Sequence, residues 1–199
     1  LAEGLPVVMV SGDIPPHAPP RVEYQNYEGM RTIINQVLAH GHREIAVASP
    51  AQTYYAGRER LRGINDALRD AGVTPVFRSK IPELNYEMGI IAGKEILEHC
   101  GNRISCIVAG NDDAAFGIAK VLLERGVRIP EDISITGADG IFIRRQIQQM
   151  TSFRSPSFEM GRTGSKLLID ILEGQTPSGA PLRLPVELIP GDTLADRNR

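Results

Sequence analysis

The chain has 199 residues, 42% hydrophobic and 23% charged, the proportions of a soluble globular protein with room for one large α/β domain or two small lobes. Its 22 basic and 24 acidic side chains leave a net charge of -2, which argues against a dedicated nucleic-acid surface and against attraction to an anionic membrane. Cys100 and Cys106 are too few for a disulfide-stapled secreted fold. No apolar run approaches the ~18 residues of a membrane span, so the expected location is a reducing cytoplasm.

In chain order, Leu1 to Val10 lacks the charged start of a signal peptide. Val7–Val10 instead reads as a buried strand with nothing before it to flank it in a sheet, so a fragment of a longer domain is expected. Pro15, Pro16, Pro19 and Pro20 then predict a surface loop. Met30, Ile33, Ile34, Val37 and Leu38 share one helical face, which ends at Gly41. A short strand follows at Ile45–Ala48. Leu61, Ile64, Leu68 and Ala71 form a second stripe ending at Gly72, and Met88, Ile91, Ala92 and Ile96 a third ending at Gly101. The strand Cys106–Ala109 precedes a fourth stripe, Ala115, Ile118, Ala119 and Leu122, which stops at Gly126. Ile133–Thr136 is the last apolar run. A weaker stripe, Phe158, Gly161, Ser165, Leu168 and Leu172, runs to Gly174, and Gln175 to Pro181 is a second loop. Glycine enters the left-handed conformation that ends helices without a Cβ clash, so the repeated stop signal supports each helix end. Strands alternating with single helices imply βαβ units and a mostly parallel sheet.

Enzyme signatures are absent: there is no G-x-x-x-x-G-K-[ST], G-x-G-x-x-G, H-E-x-x-H or G-x-S-x-G. The chain is therefore expected not to be an enzyme and to carry no cofactor. His17, His40, His42 and His99 are scattered, and no metal-ligand spacing links them to the cysteines. His40 and His42 flank Gly41 at a helix end, where a capping or surface role suits them. What remains is a set of polar residues just past strands: Ser49 and Pro50, Asn111 and Asp112, and Asp139, with Arg60 early in a helix behind the same sheet edge. Ligands of open parallel sheets bind in the crevice at the carboxyl ends of the strands. The plainer alternative is that Asn111 and Asp112 cap a helix and Asp139 sits in a turn with Gly140.

These segments resemble the lactose-repressor (LacI) family of transcription regulators. Gly41-His42-Arg43-Glu44-Ile45-Ala46 is similar to the family's G-H-[RK]-x-I-[AG], and Arg60 to Gly63 to its R-x-x-G. Gly110 to Gly117 looks like N-D-x-x-A-x-G, and Arg128 to Asp139 looks like [VI]-P-x-D-[IV]-S-[IV]-x-G-[FY]-D, with Ala138 in the aromatic position. Val22 to Gly29 resembles the family's strand and helix start. The resemblance implies an α/β, two-lobed periplasmic-binding-protein-like fold with parallel sheets flanked by helices, its first lobe incomplete. Residues 1–40 and 155–182 would form the remainder of the first lobe, and 41–152 and 183–199 the second. Crossings between lobes are expected near Pro50, Ser152–Ser155 and Leu182–Leu188.

The same resemblance implies a small, sugar-like effector contacted by Arg60, Asn111 and Asp139. Glu28 stands at the family's acidic contact position, though a first-turn glutamate also suits the helix dipole. Leu84 stands where several relatives place a stacking aromatic, and Tyr54 or Tyr55 would supply a wall instead. Arg60 and Asp139 should point toward solvent or ligand, so that replacing them would disturb folding little. A homodimer is implied, with operator DNA bound only through a headpiece absent from this chain. A periplasmic sugar-binding protein of a transport system and a doubly wound enzyme are the competing readings.

Overall fold

The computed structural model describes residues 5–12, 19–50, 54–141, 149–177 and 179–198. The chain runs through β1 (Met9–Val10), β2 (Arg21–Tyr24), α1 (Asn26–Ala39), β3 (Ile45–Pro50) and α2 (Tyr55–Asp70). It continues through β4 (Phe77–Ile81), α3 (Tyr86–Cys100), β5 (Cys106–Ala109), α4 (Asp112–Glu124) and β6 (Ser134–Thr136). It ends with β7 (Ser152–Arg154), α5 (Ser157–Leu172), β8 (Leu182–Leu184) and β9 (Glu187–Ile189). Pro15, Pro16 and His17 lie outside the described residues.

The larger sheet has the order β4-β3-β5-β6, with every pair parallel. Successive residues of its central strands feed two separate cores. Ala46, Ala48, Ile107 and Ala109 face α3 and α4, while Ile45, Val47, Cys106 and Val108 face α1 and α2. A strand apolar at every position is what a sheet covered on both faces requires. Each fully buried Ile or Val contributes roughly 1.5–3 kcal/mol relative to exposure. A smaller parallel sheet, β1-β2-β8, carries α5, and an antiparallel ribbon, β7-β9, packs on α1 and meets the end of β6 through the bridge Thr136–Thr151. The helix ends fall where the glycines predict: Gly41, Gly72, Gly101, Gly126 and Gly174 all have positive φ.

Helix α1 packs on α2 and on the β3–β5 core of the larger sheet. Its stripe of Met30, Ile33, Ile34 and Val37 fits the open face of the larger sheet, and Gly29 lets the helix approach the Phe153 ring. At Gln25 the chain passes from β2 of the smaller sheet to α1. After β7 the chain forms α5, and β8 joins β2 while β9 pairs with β7. The strand β4, which the apolar runs of the sequence do not mark, has Arg78 and Lys80 alternating outward on an edge.

The segment after β9 returns to the larger sheet. Ile135 N–H donates to Thr193 O at 2.9 Å and Ala195 N–H donates to Ser134 Oγ at 3.0 Å. His42 is fully buried there, with Nε2 3.0 Å from Ala195 O and Nδ1 2.9 Å from Ser105 Oγ. Burial holds its pKa below the ordinary value, against the opposing bond to Ala195. His42 is thus a core residue, while His40 does cap, its Nδ1 lying 2.8 Å from Gln36 O.

Candidate functional site

The two parallel sheets bring their carboxyl ends together. Tyr24 ends β2, Gly110 follows β5, Asp139 follows β6, and Arg60 rises from α2 between them. Arg60 is buried, with 4% of its surface exposed. Its Nε donates to Asn26 Oδ1 at 2.8 Å, and Nη1 donates to Gly110 O at 2.8 Å and to Asp139 Oδ2 at 3.4 Å. Nη2 donates to Tyr24 Oη at 2.7 Å and makes the close ion pair with Asp139 Oδ1. All the N–H groups of the guanidinium therefore have acceptors. The plane also lies over the Phe153 ring, 5.5 Å from its centroid. Burial opposes the charge, but Asp139 and Tyr24 outweigh it and hold the group above its usual basicity.

Arg60, expected to point toward solvent or ligand rather than into a core, is instead enclosed by these acceptors. Its fork is saturated because Tyr24 of the smaller sheet and three acceptors of the larger layer, Asn26, Gly110 and Asp139, converge on it. Asp139 is the more accessible partner, with 22% of its side chain exposed. Its backbone is strained, with φ 111°, and is held by Asp139 N–H donating to Phe153 O at 2.9 Å. The Tyr24 hydroxyl also donates to Asp139 Oδ1, at 3.5 Å. Tyr54, the residue before α2, is half-buried beside this group, and burial raises its pKa while Arg60 and Asp139 act on it electrostatically.

Asn111 lies at the same edge but is committed to structure. Its Oδ1 accepts from Ala114 N–H at 2.9 Å, which caps α4, and its Nδ2 donates to Leu84 O at 3.0 Å. Leu84 is partly buried against the α3–α4 core. Glu28 is exposed on the first turn of α1, and its carboxylate pairs with nothing among the described residues. The structure thus joins Arg60 and Asp139 directly, sets Tyr54 and Asn111 nearby, and leaves Glu28 outside the hydrogen-bonded group.

Reading the sequence missed three of the residues gathered here, Tyr24, Asn26 and Glu23, and named Asp112 only as a residue past a strand that could cap a helix. Tyr24 and Asn26 flank the end of β2, and the strand-end logic applied to β5 and β6 would have found them. Glu23 is buried on β2, accepting from Arg21 Nε at 2.6 Å, from Tyr55 Oη at 2.9 Å and from Arg183 Nε at 3.3 Å. Because Tyr55 belongs to α2, this is a second polar link between the sheets. Asp112 is buried beneath the Asp139 loop, and burial raises its pKa to about 7. No group of three or more His, Cys, Asp or Glu among the described residues is placed to hold a metal ion. No helix there is long and apolar enough to cross a membrane.

The model of the periplasmic binding protein-like domain matches residues 34–194. The HTH-type transcriptional regulator CelR of Thermobifida fusca is 31% identical over 168 residues, covering 83% of this chain and 48% of that protein. The solved CelR–cellobiose complex superposes with a TM-score of 0.82 at 29% identity, over 91% of this chain and 57% of that one. A LacI family regulator from Enterococcus faecium with bound ribose gives 0.79 at 27% identity, over 89% of this chain and 66% of that one. The chain spans about half the length of the curated relatives it matches.

Proposed function

The chain belongs to the periplasmic-binding-protein-like domain family, in the form carried by LacI-type transcription regulators, and on that premise we propose that its cleft binds a small polyhydroxylated effector which controls operator binding. The observation that carries the reading is the Arg60–Asp139 pair at the shared carboxyl ends of two parallel sheets, the crevice where such sheets take ligands. Asp139 is the contact: the fork of Arg60 holds its carboxylate rigid and charged, and its accessible lone pairs accept from ligand hydroxyls. Tyr24 and Tyr54 supply aromatic walls with polar tips, which suits a sugar ring. Tyr24 comes from the small sheet and Asp139 from the large one, so a bound ligand has contacts that depend on how the sheets are disposed. Such differential contacts are what let a ligand shift a conformational equilibrium. Cellobiose and ribose in the two related complexes support a sugar or sugar derivative.

Operator binding belongs to a helix-turn-helix segment of the longer protein, in keeping with the description of the relatives as HTH-type regulators. A homodimer matches the two-fold symmetry of paired half-sites, and the working compartment is the cytoplasm. The protein is a binding module and performs no turnover. The test is a thermal-shift screen with aldoses, disaccharides, sugar phosphates and nucleobases. A ligand at 100 times its Kd adds about 2.7 kcal/mol to stability, roughly 5–11 °C for a chain of this size. A panel in which nothing stabilises the protein would refute the reading.

A further inference from the structure

Asp112, the first residue of α4, is fully buried and touches two other segments. Its Oδ2 accepts from Ile141 N–H at 2.7 Å, and its Oδ1 accepts from the Ser152 hydroxyl at 2.8 Å. Its own N–H donates to Ala138 O at 2.8 Å. The strained Asp139 lies between Ala138 and Ile141, so Asp112 grips the effector loop on both flanks. Ser152 belongs to β7, the strand before α5. A Cβ at Gly137 would overlap Asp112 Oδ1, so the loop approaches the carboxyl closely.

The Ser152 hydroxyl has two acceptors within reach, Asp112 Oδ1 at 2.8 Å and Phe153 O at 3.3 Å. When Asp112 is ionised, the serine donates to it. When Asp112 is protonated, its O–H donates to Ser152 Oγ and the serine hydrogen turns to Phe153 O. Neither arrangement leaves a buried polar atom without a partner, which is the condition for a buried carboxyl to exchange a proton with water at little cost. Phe153 O is also the acceptor of Asp139 N–H.

We propose that Asp112 is the positioning residue of the cleft, holding Asp139 in its strained conformation and exchanging a proton in response to the charge on Asp139. This rests on the reading of Asp139 as the effector contact. Burial, reinforced by the Asp139 charge, raises Asp112 to about 7, which sets the exchange near neutrality. Among the described residues the charged groups around it are few. Asp139 faces it from the loop, with Arg60 beyond and paired to Asp139. Asp113 follows it on α4, and Arg154 on β7 is exposed and paired with Glu187 at 3.4 Å. Withdrawing charge from Asp139 lowers the affinity of Asp112 for its proton. A ligand donating hydrogen bonds to Asp139 therefore releases that proton and binds more tightly as pH rises through about 7.

The test needs no effector. Carboxyl NMR of the 199-residue chain labelled with carbon isotope in aspartate should show one carboxyl titrating near neutrality, absent in Asp112→Asn. Asp139→Asn should move its midpoint to lower pH. Amide hydrogen exchange at Asp139 to Ile141 should be on the order of tenfold faster in Asp112→Asn, the change produced by losing one hydrogen bond to a charged group. If that variant does not fold, Ser152→Ala, which removes one donor and keeps the carboxyl, should still displace the midpoint. An Asp112 carboxyl ionised throughout the range from pH 5 to 8, or a midpoint indifferent to Asp139→Asn, overturns the proton exchange. Unchanged loop exchange overturns the positioning. A failed sugar screen beside a positive result here would strike the effector assignment alone.

Discussion

Replacing Arg60 by alanine removes hydrogen bonds to Asn26, Gly110, Tyr24 and Asp139 at once. It strands the Asp139 carboxylate and the Gly110 carbonyl. Breaking a buried ion pair by deleting one partner costs about 3–5 kcal/mol, because the remaining charge stays uncompensated. Asp139 retains 22% side-chain exposure, so water recovers part of the loss and the lower end, about 3 kcal/mol, is expected. For a chain of this length that is roughly 6–12 °C in Tm. The assay is thermal and urea unfolding of the wild type, Arg60→Ala, Asp139→Asn and the double variant. In the double variant the stranded charge is gone, so it should be more stable than the sum of the single losses implies, by about 0.5–3 kcal/mol. A Tm for Arg60→Ala within about 2 °C of wild type, or strict additivity, would refute the picture of a saturated guanidinium.

Other outcomes follow from the same contacts. Asn111→Ala loses the N-cap of α4 and the tether to Leu84, and should cost about 0.5–2 kcal/mol in urea unfolding. Gly29→Ala would set a Cβ 2.7 Å from the Phe153 ring, which is fully buried and has nowhere to move, so a loss of about 1–3 kcal/mol is expected. The pKa of His42 is lowered on folding, so the unfolded chain binds the extra proton. Its contribution is fully present above the ordinary value of about 6.5 and is lost as pH falls below it. Urea unfolding at several pH values should show that loss, and His42→Gln should flatten it.

The architecture was legible wherever one physical signal sufficed. Apolar runs such as Cys106–Ala109 are buried on both faces, and glycines such as Gly126 end helices at positive φ. It was not legible where two readings share one pattern. The stripe of α1 says which face is buried but not which sheet buries it, and β4 is an edge strand whose outward Arg78 and Lys80 hide its alternation. The strand-end residues Gly110, Asn111 and Asp139 do lie at one sheet edge, as their positions past strands imply. They did not reveal that Asn111 spends its side chain on a cap, nor that Arg60 is enclosed by Tyr24 of the smaller sheet and by Asn26 of α1. Those facts depend on long-range placement, as does the burial of Asp112 beneath a loop that follows it by more than 20 residues in the chain.

The central claim is that Asp139 is the effector contact in the cleft. It is tested most directly by calorimetric titration of the wild type and of Asp139→Ala with whichever compound in the thermal screen stabilises the wild type most. Loss of a hydrogen bond to a charged group is worth about 1.5–3 kcal/mol, so the variant should bind roughly 10- to 150-fold more weakly while remaining folded by circular dichroism. Equal affinity in the two proteins would contradict the claim and remove Asp139 from the site.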